Sequence, residues 1–382
     1  MTSVIEQKDF FTILPRQYYI DADRYERELT QIFDKQWRYF GHVSELPENG
    51  SFLVREINAE SVLVARSRTG DINAFINVCR HRGCRLTEET SGKARAFQCP
   101  YHGWRYDLTG ALRGAPTMQD ENKNFDMSEY SLYDVQLEIW KGFIFICTGK
   151  EKLPSLALEL DRAKDSFDRI EPENIKKVAT SEVVFKSNWK LVLENFLECY
   201  HCATAHPEFA EVVDVWGMYG SMGDEWEVGE YIPGACNLLK DGMKTWAPNG
   251  EYVNKKKFGE FDRGVDPEQG FAAAFLTTPA VWWLCFYPDF GVTQHLEPVS
   301  VEETRWVTNW WVNKDAVEGE DYDVEKMVAL LNIVNEQDRA ICDGTQKGMH
   351  SRRFSPGPNS EKAEAPLRGT INTYLRMMGE EY

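Results

Sequence analysis

Two short segments of the chain each combine a cysteine with a histidine at a spacing suited to metal binding. The segments CRHRGCRL and CPYHGW supply the four residues Cys79, His81, Cys99 and His102. Two thiolates and two imidazoles suit a tetrahedral Zn²⁺ site, or a [2Fe–2S] cluster in which the cysteines hold one iron and the histidines the other. Gly83 and Gly103 would allow tight loops around such a group. The spacing and the glycines favour the iron–sulfur cluster over a zinc knuckle.

A second constellation follows in the segment ENFLECYHCATAHPEF. It contains Glu194, Asn195, Glu198, His201 and His206. Glu198 and His201 have the i, i+3 spacing of neighbours on one helix face. His201 and His206 would point about 140° apart on an ideal helix. Joint metal binding by the two histidines therefore predicts an interruption of the helix near Pro207.

Two histidines and one carboxylate on one face of an iron ion leave positions open for O₂ and substrate. The carboxylate has to come from elsewhere in the chain, and LNIVNEQDRAIC offers Asp338, with Glu336 and Asp343 as alternatives. We favour Asp338, because an acidic residue in a mostly apolar stretch indicates a functional role.

These motifs resemble a known family. CRHRG followed by CPYHGW is similar, almost residue for residue, to the Rieske motif of ring-hydroxylating oxygenase α subunits. The family usually has aspartate at the position of Glu198, whereas ECYHC resembles the branch that acts on quaternary ammonium compounds, such as glycine betaine, carnitine and stachydrine oxygenases. The resemblance covers nearly the whole chain and supports Asp338 as the third iron ligand.

The resemblance implies a terminal oxygenase with a [2Fe–2S] cluster and a mononuclear Fe²⁺. It would use O₂ and NAD(P)H-derived electrons to hydroxylate or N-demethylate a small betaine. No flavin- or nicotinamide-binding glycine motif is evident, which predicts a separate flavin/iron–sulfur reductase. In the family, a homotrimer brings one chain's cluster beside the iron of the next. Glu198 would then link His201 to His102 of the partner subunit, and Asn195 is grouped with Glu198 as catalytic. The alternative for Glu198 is an orienting role within its own chain.

Three other functions are compatible with part of this pattern. They are a mono- or dioxygenase of an aromatic acid, a Rieske-type electron carrier without catalysis, and a zinc-binding interaction module. A carrier would not need the second constellation. A quaternary ammonium substrate would need an aromatic cage, because such a cation can accept or donate no hydrogen bond. The candidates for that cage are Trp216, Tyr219, Trp246, Trp282, Trp283 and Phe286, although aromatic residues in strands more often lie in cores.

The sequence pattern around these residues predicts helices and antiparallel strands, which together make an α+β fold. We expect an N-terminal helical segment at residues 1–37, packed with the catalytic domain. A small antiparallel β domain of the Rieske type should follow at 38–150, and a catalytic domain at 151–382, to which the resemblance assigns a helix-grip fold. Helical spacing runs from Pro15 to Phe40 and again over residues 323–347. A strand is expected in LEIWKGFIFICT.

Charge and composition exclude some partners. The net charge of −18 disfavours nucleic-acid binding. No apolar run reaches a membrane-span length and no secretory signal pattern is evident, so we expect a cytoplasmic protein. Cys147, Cys236, Cys285 and Cys342 are expected to be small buried residues.

Overall fold

The structure is a computed structural model that describes residues 11–58, 60–217, 239–277, 279 and 282–380. The chain forms two compact units. The smaller unit is Phe33–Ala157, and the larger one combines Met1–Ile32 with Leu158–Tyr382. Residues 33–37 belong to the smaller unit, where Thr148 Oγ1 donates to Asp34 Oδ1 over 2.7 Å.

The N-terminal helical segment is shorter than expected. Helix α1 (Gln17–Ile20) is followed by α2 (Ala22–Gln31), which is capped by the Asp21 side chain accepting from the Arg24 N–H. The prediction of a helix as far as Phe40 is wrong, because Arg38–His42 forms strand β1. Its backbone pairs with a strand some 100 residues later, and such long-range pairing overrides local helical spacing.

The smaller unit consists mainly of short antiparallel strands. Besides β1 these are β2 Ser51–Ile57, β3 Glu60–Arg66, β4 Ile72–Ile76, β5 Ser91–Lys93, β6 Phe97–Gln98, β7 Arg105–Tyr106, β8 Leu112–Gly114, β9 Gln136–Trp140 and β10 Phe143–Cys147, with helix α3 at Met118–Glu121. They form sheets in the orders β1-β10-β9, β4-β3-β2-β5 and β6-β7-β8.

The single strand expected in LEIWKGFIFICT is in fact the hairpin β9–β10. Lys141 and Gly142 both have positive φ angles, 47° and 86°, so the chain reverses there in a tight two-residue turn.

The larger unit is built on one five-stranded antiparallel sheet in the order β11-β15-β14-β13-β12. Its strands are β11 Ile175–Phe185, β12 Ala273–Thr277, β13 Trp282–Phe286, β14 Gly291–Ser300 and β15 Glu303–Asn313. Its helices include α4 Ala157–Leu160, α5 Lys164–Ile170, α6 Trp189–Leu197, α7 Cys202–Ala205, α8 Pro207–Val212, α9 Gly259–Asp262, α10 Val324–Met349 and α11 Ala365–Met377. The predicted α+β class with antiparallel strands is confirmed.

The long helix α10 positions the late carboxylate. It packs against β11 and α6, and buries Met327, Leu330 and Leu331 in one core with Trp310 and Cys285 of the sheet. This apolar stripe fixes the rotation of α10 and thereby the direction of the residues that follow it. Among the described residues, no helix combines the length and the apolar character that crossing a membrane would need.

Candidate metal centres and substrate pocket

Two loops of the smaller unit carry the first cysteine–histidine motif, and each loop contains the same kind of backbone turn. The Gly83 N–H donates to the Cys79 carbonyl over 3.0 Å, and the Gly103 N–H donates to the Cys99 carbonyl over 3.1 Å. Both glycines have a φ of +73°, a conformation that L side chains rarely adopt. The two loops therefore need glycine at the same place, as the sequence indicated.

The four side chains divide by type within these loops. The Cys79 and Cys99 side chains are buried, whereas His81 is half-buried and His102 exposed. The two imidazoles face each other, with their Nδ1 atoms 3.1 Å apart. Two inward thiols and two outward imidazoles fit a [2Fe–2S] cluster, with the cysteines on one iron and the histidines on the other.

Aromatic rings hold this site in place. Trp104 stacks on His81 with 5.0 Å between ring centroids, and Tyr101 stacks on His102 at 3.8 Å. The Tyr106 hydroxyl oxygen accepts a hydrogen bond from the Arg80 N–H, so its own proton is free to point to Cys79 Sγ, 3.4 Å away. Sequence reasoning missed Tyr106, whose only signal was its place two residues after Trp104.

The second constellation lies where helix α6 ends. Glu198 is extended, α7 begins only after His201, and α8 begins at Pro207 directly after His206. The predicted interruption is therefore present. The expectation that Glu198 and His201 share a helix face is wrong, because α6 has ended by Glu198. The two side chains meet instead through a 2.6 Å hydrogen bond from His201 Nδ1 to Glu198 Oε1.

Three possible ligand atoms converge in the larger unit. His201 Nε2 and His206 Nε2 are 3.1 Å apart, and Asp338 Oδ1 lies 3.3 Å from the first and 3.0 Å from the second. Ligands about 2.1 Å from an ion and at right angles to one another would be about 3.0 Å apart. The triangle therefore fits one face of an octahedral metal ion, with the opposite face open.

Hydrogen bonds to the other ring nitrogens fix the tautomers. His201 Nδ1 donates to Glu198, and His206 Nδ1 donates to Gln337 Oε1 over 2.8 Å, while Gln337 Nε2 donates to Glu208 over 3.0 Å. While both histidines are neutral, the two Nε2 atoms thus present lone pairs to the buried Asp338 Oδ1, and none of the three atoms carries a hydrogen to donate. Three acceptors facing one point require a cation there.

The electrostatics agree with this requirement. Burial lowers the pKa of His201, but hydrogen bonds and charges from Asp338 and Glu198 outweigh it and raise that pKa to about 9. Burial would raise the pKa of Asp338, yet the two histidines hold it below its usual range. Without a metal, a proton supplies the positive charge that the site favours.

The alternative carboxylates are engaged elsewhere. Glu336 is exposed and pairs with Arg339 over 2.7 Å, and Asp343 accepts a hydrogen bond from the Lys186 N–H over 2.6 Å. Asn195 lies beside the triangle, with Nδ2 3.3 Å from His201 Nε2.

A pocket of about 1110 Å³, partly open to solvent, adjoins the triangle. Seven of the lining residues are phenylalanine or tryptophan: Phe185, Phe196, Phe209, Trp246, Phe275, Trp283 and Trp306. Phe196 contacts Trp283 and Trp306 with centroids 5.0 and 4.8 Å away, and Trp283 contacts Trp246 at 5.3 Å. Within the described part of the chain, the lining includes Glu198 and Asp338 but no lysine or arginine.

The six aromatic candidates for a cation cage do not all meet here. Trp246 and Trp283 line the pocket. Trp282 and Phe286 are buried outside the lining, where Phe286 packs on Phe167 and Trp282 on Phe275. Trp216 is 64% exposed and is not part of the lining, and Tyr219 lies outside the described residues.

Cysteine placement adds one feature that the sequence did not predict. Cys199 and Cys202, both in the pocket lining, form a disulfide that encloses Tyr200 and His201. The CxxC spacing was the available signal. Cys147, Cys285 and Cys342 are buried as expected, and Cys236 lies outside the described residues.

Comparison with known families gives a match for each of the two parts of the chain. Residues 36–137 match the Rieske [2Fe-2S] domain, and residues 172–380 match the catalytic domain of the ring hydroxylating alpha subunit. The chain is 33% identical to the glycine betaine monooxygenase oxygenase subunit of Pseudomonas aeruginosa, over 99% of this chain and 92% of that protein. It is also 33% identical to the carnitine monooxygenase oxygenase subunit of Escherichia coli, over 56% of this chain and 57% of that protein.

Solved structures show the same fold. The quaternary ammonium Rieske monooxygenase CntA in complex with L-carnitine matches with a TM-score of 0.71 and 23% identity, over 98% of this chain and 97% of that one. Naphthalene 1,2-dioxygenase from Rhodococcus sp. matches with a TM-score of 0.72 and 21% identity, over 96% of this chain and 94% of that one.

Proposed function

The chain belongs to the α subunits of Rieske-type ring-hydroxylating oxygenases, and on this premise we propose that it hydroxylates an N-methyl group of a small betaine. As an oxygenase component of this family it uses a [2Fe–2S] cluster, a mononuclear iron and electrons from a separate reductase. We assign the cluster to Cys79, His81, Cys99 and His102, and the iron to His201, His206 and Asp338. Iron(II) held there would supply O₂ activation next to the pocket.

The composition of the pocket carries the substrate proposal. A quaternary ammonium group makes no hydrogen bonds, and is recognised by the faces of aromatic rings and by negative charge. The aromatic side chains of the lining meet the first need, and among the described residues no lysine or arginine of the lining would repel the ammonium group. Similarity to glycine betaine and carnitine monooxygenases supports the same class.

The proposed reaction consumes O₂, two electrons and two protons. It converts one N-methyl group to a hydroxymethyl group and releases water. The resulting hydroxymethylammonium group loses its hydroxyl proton as the C–N bond breaks, which gives formaldehyde and a tertiary amine. The residues of this chain orient the metal ligands and keep water away from the reacting group. Glu198 and Gln337 fix the two histidine rings, and the apolar walls keep the reacting methyl group away from solvent.

Binding measurements test the substrate class. Glycine betaine should bind more tightly than 3,3-dimethylbutanoate, the isostere that keeps the carboxylate but has an uncharged tert-butyl group in place of the trimethylammonium group. Trp283→Leu should weaken betaine binding by about 2- to 30-fold, the range of cation–π contributions, and leave the isostere nearly unaffected. Trp216→Leu is the matched control, since Trp216 is exposed and outside the lining. Equal affinity for betaine and isostere would exclude the cage.

We also propose a cytoplasmic homotrimer in which Glu198 passes electrons between chains, from His102 of the partner subunit to His201. Its support is the direct Glu198–His201 hydrogen bond at 2.6 Å and the exposure of His102 at the edge of its own loop. Cell fractionation and the mass of the native protein test the location and the trimer.

The variant Glu198→Gln tests the bridging role. It should retain both metals, a reducible cluster and betaine binding, yet form product much more slowly. Turnover at the wild-type rate would refute the bridge. Outright loss of the mononuclear iron would instead favour the alternative in which Glu198 only orients His201 within its own chain.

A further inference from the structure

An arginine-rich cup on the smaller unit lies outside the two metal centres. Its lining includes Arg68, Arg95, Arg105 and Arg113, together with Asp107 and Thr109, around about 990 Å³ of space that is open to solvent. We call these four arginines the arginine surface.

Most of the positive charge of this surface is not neutralised locally. Asp107 pairs with Arg113 over 2.6 Å, and also accepts hydrogen bonds from the Thr109 N–H and hydroxyl. Within the described part of the chain, Arg68, Arg95 and Arg105 form no ion pair. Like charges that converge without partners favour an anionic occupant.

The surroundings strengthen this charge contrast. The whole chain has a net charge of −18, but residues 61–118 contain nine arginines or lysines and only four acidic residues. An acidic protein would be repelled by most of this chain and attracted to this region, so that electrostatics would orient the encounter.

Exposure distinguishes a protein partner from a small anion. All four arginines are solvent-exposed, with 60% of the Arg113 side chain accessible. The buried polar residue among the described lining residues is Ser67, and its hydroxyl is already engaged by the Thr69 N–H and hydroxyl. A broad exposed set of guanidinium groups fits a complementary acidic face on another protein.

The arginine surface is also adjacent to the cluster ligands along the backbone. Arg105 opens strand β7 between Trp104, whose ring stacks on His81, and Tyr106, whose hydroxyl contacts Cys79 Sγ. Neighbouring side chains of a strand point to opposite faces, so the exposed Arg105 and the buried Tyr106 lie on opposite sides of β7, and a donor seated over Arg105 would have this strand between it and the proposed cluster ligands.

We propose that the arginine surface is the docking site for the acidic face of the iron–sulfur protein that reduces the Rieske cluster. The step transfers one electron: the donor's centre is oxidised by one electron, this cluster is reduced by one, and no bond forms or breaks. The proposal rests on the oxygenase role with a separate donor, and not on the identity of the substrate.

The probe is a plant-type [2Fe–2S] ferredoxin with an acidic surface, whose cluster has a lower potential than Rieske centres. Two quantities are measured without substrate on the cluster-loaded protein. Calorimetry gives the affinity for oxidised ferredoxin, and stopped-flow absorbance gives the rate of cluster reduction by reduced ferredoxin. Because no substrate is present, failure of the betaine proposal would leave these results unaffected.

The test variant is Arg68→Glu/Arg95→Glu, and its matched control is Lys150→Glu/Lys152→Glu, an equal charge change at exposed residues of the same unit outside the cup. At low ionic strength, the test variant should lose about tenfold or more in both affinity and reduction rate, and the loss should shrink as salt is added. The control should behave like wild type. Photoreduced deazaflavin, a neutral reductant, should reduce all three proteins equally.

Equal slowing in both variants would show that only the net charge of the protein matters, and would overturn the assigned surface. Wild-type behaviour of the arginine variant would overturn it too. Stoichiometric binding of inorganic phosphate that blocks ferredoxin only in the wild type would show a small-anion site, and would also overturn the proposal.

Discussion

Replacing Gln337 with leucine should weaken iron binding without affecting the cluster. The His206 side chain is 1% exposed, and its Nδ1–H donates to Gln337 Oε1 over 2.8 Å. Leucine would leave this buried donor without an acceptor, which costs about 1–3 kcal/mol. Loss of such a hydrogen bond to a ligand's second nitrogen typically lowers metal affinity about 10- to 100-fold, which agrees with that energy. We expect an affinity loss within this range.

Transfer of iron to a ferrous chelator measures this loss, and the visible absorbance of the cluster in the same sample is the internal reference. Glu336→Leu is the control, because the neighbouring Glu336 is exposed and pairs only with Arg339 among the described residues. If Gln337→Leu held iron as tightly as wild type, the assignment of Gln337 as the residue that orients His206 would be refuted. Equal loss in the control would point to a general weakening of helix α10.

Three further predictions concern Glu194, Tyr106 and His201. Burial raises the pKa of Glu194 to about 7. The folded protein therefore holds the Glu194 proton more tightly than the unfolded chain does. The stability that this proton contributes is complete below about pH 4.5 and is lost as pH rises through 7. The free energy of unfolding should therefore fall between pH 5 and pH 8, and Glu194→Gln should remove up to about 3 kcal/mol of this fall, measured by urea unfolding at the two pH values. An equal fall in wild type and variant would contradict this prediction. Tyr106→Phe removes the hydrogen bond to Cys79 Sγ and should lower the cluster's reduction potential, measured by redox titration, with an unchanged potential as the contrary result. The pKa of His201 is about 9 in the metal-free site, so iron binding has to displace a proton, and the apparent iron affinity should rise about tenfold per pH unit between pH 6 and 8; a flat profile would exclude His201 as a ligand.

The sequence predicted the parts of the sites that depend on local spacing. The two cysteine–histidine loops and the break between His201 and His206 follow from motifs a few residues long. Asp338 was favoured by its apolar surroundings and by resemblance, and the 3.0 Å approach to His206 agrees with that choice.

The pocket was harder to predict because it depends on which face of each strand is used. Trp282 and Trp283 are adjacent in β13 and point to opposite sides of the sheet, so only one of them can line the pocket. Phe196 and Trp306 come from a helix and a distant strand, and they meet only through tertiary packing. Gln337 resembles any polar residue on a helix until His206 is placed beside it.

Single turnover of the fully reduced, iron-loaded protein with O₂ and glycine betaine tests the central claim most directly. We predict about one formaldehyde and one dimethylglycine per mononuclear iron. The variant His206→Ala, with its cluster still in place, should form no product. Absence of product from glycine betaine and from carnitine, together with hydroxylation of an aromatic acid by the same preparation, would contradict the proposed function.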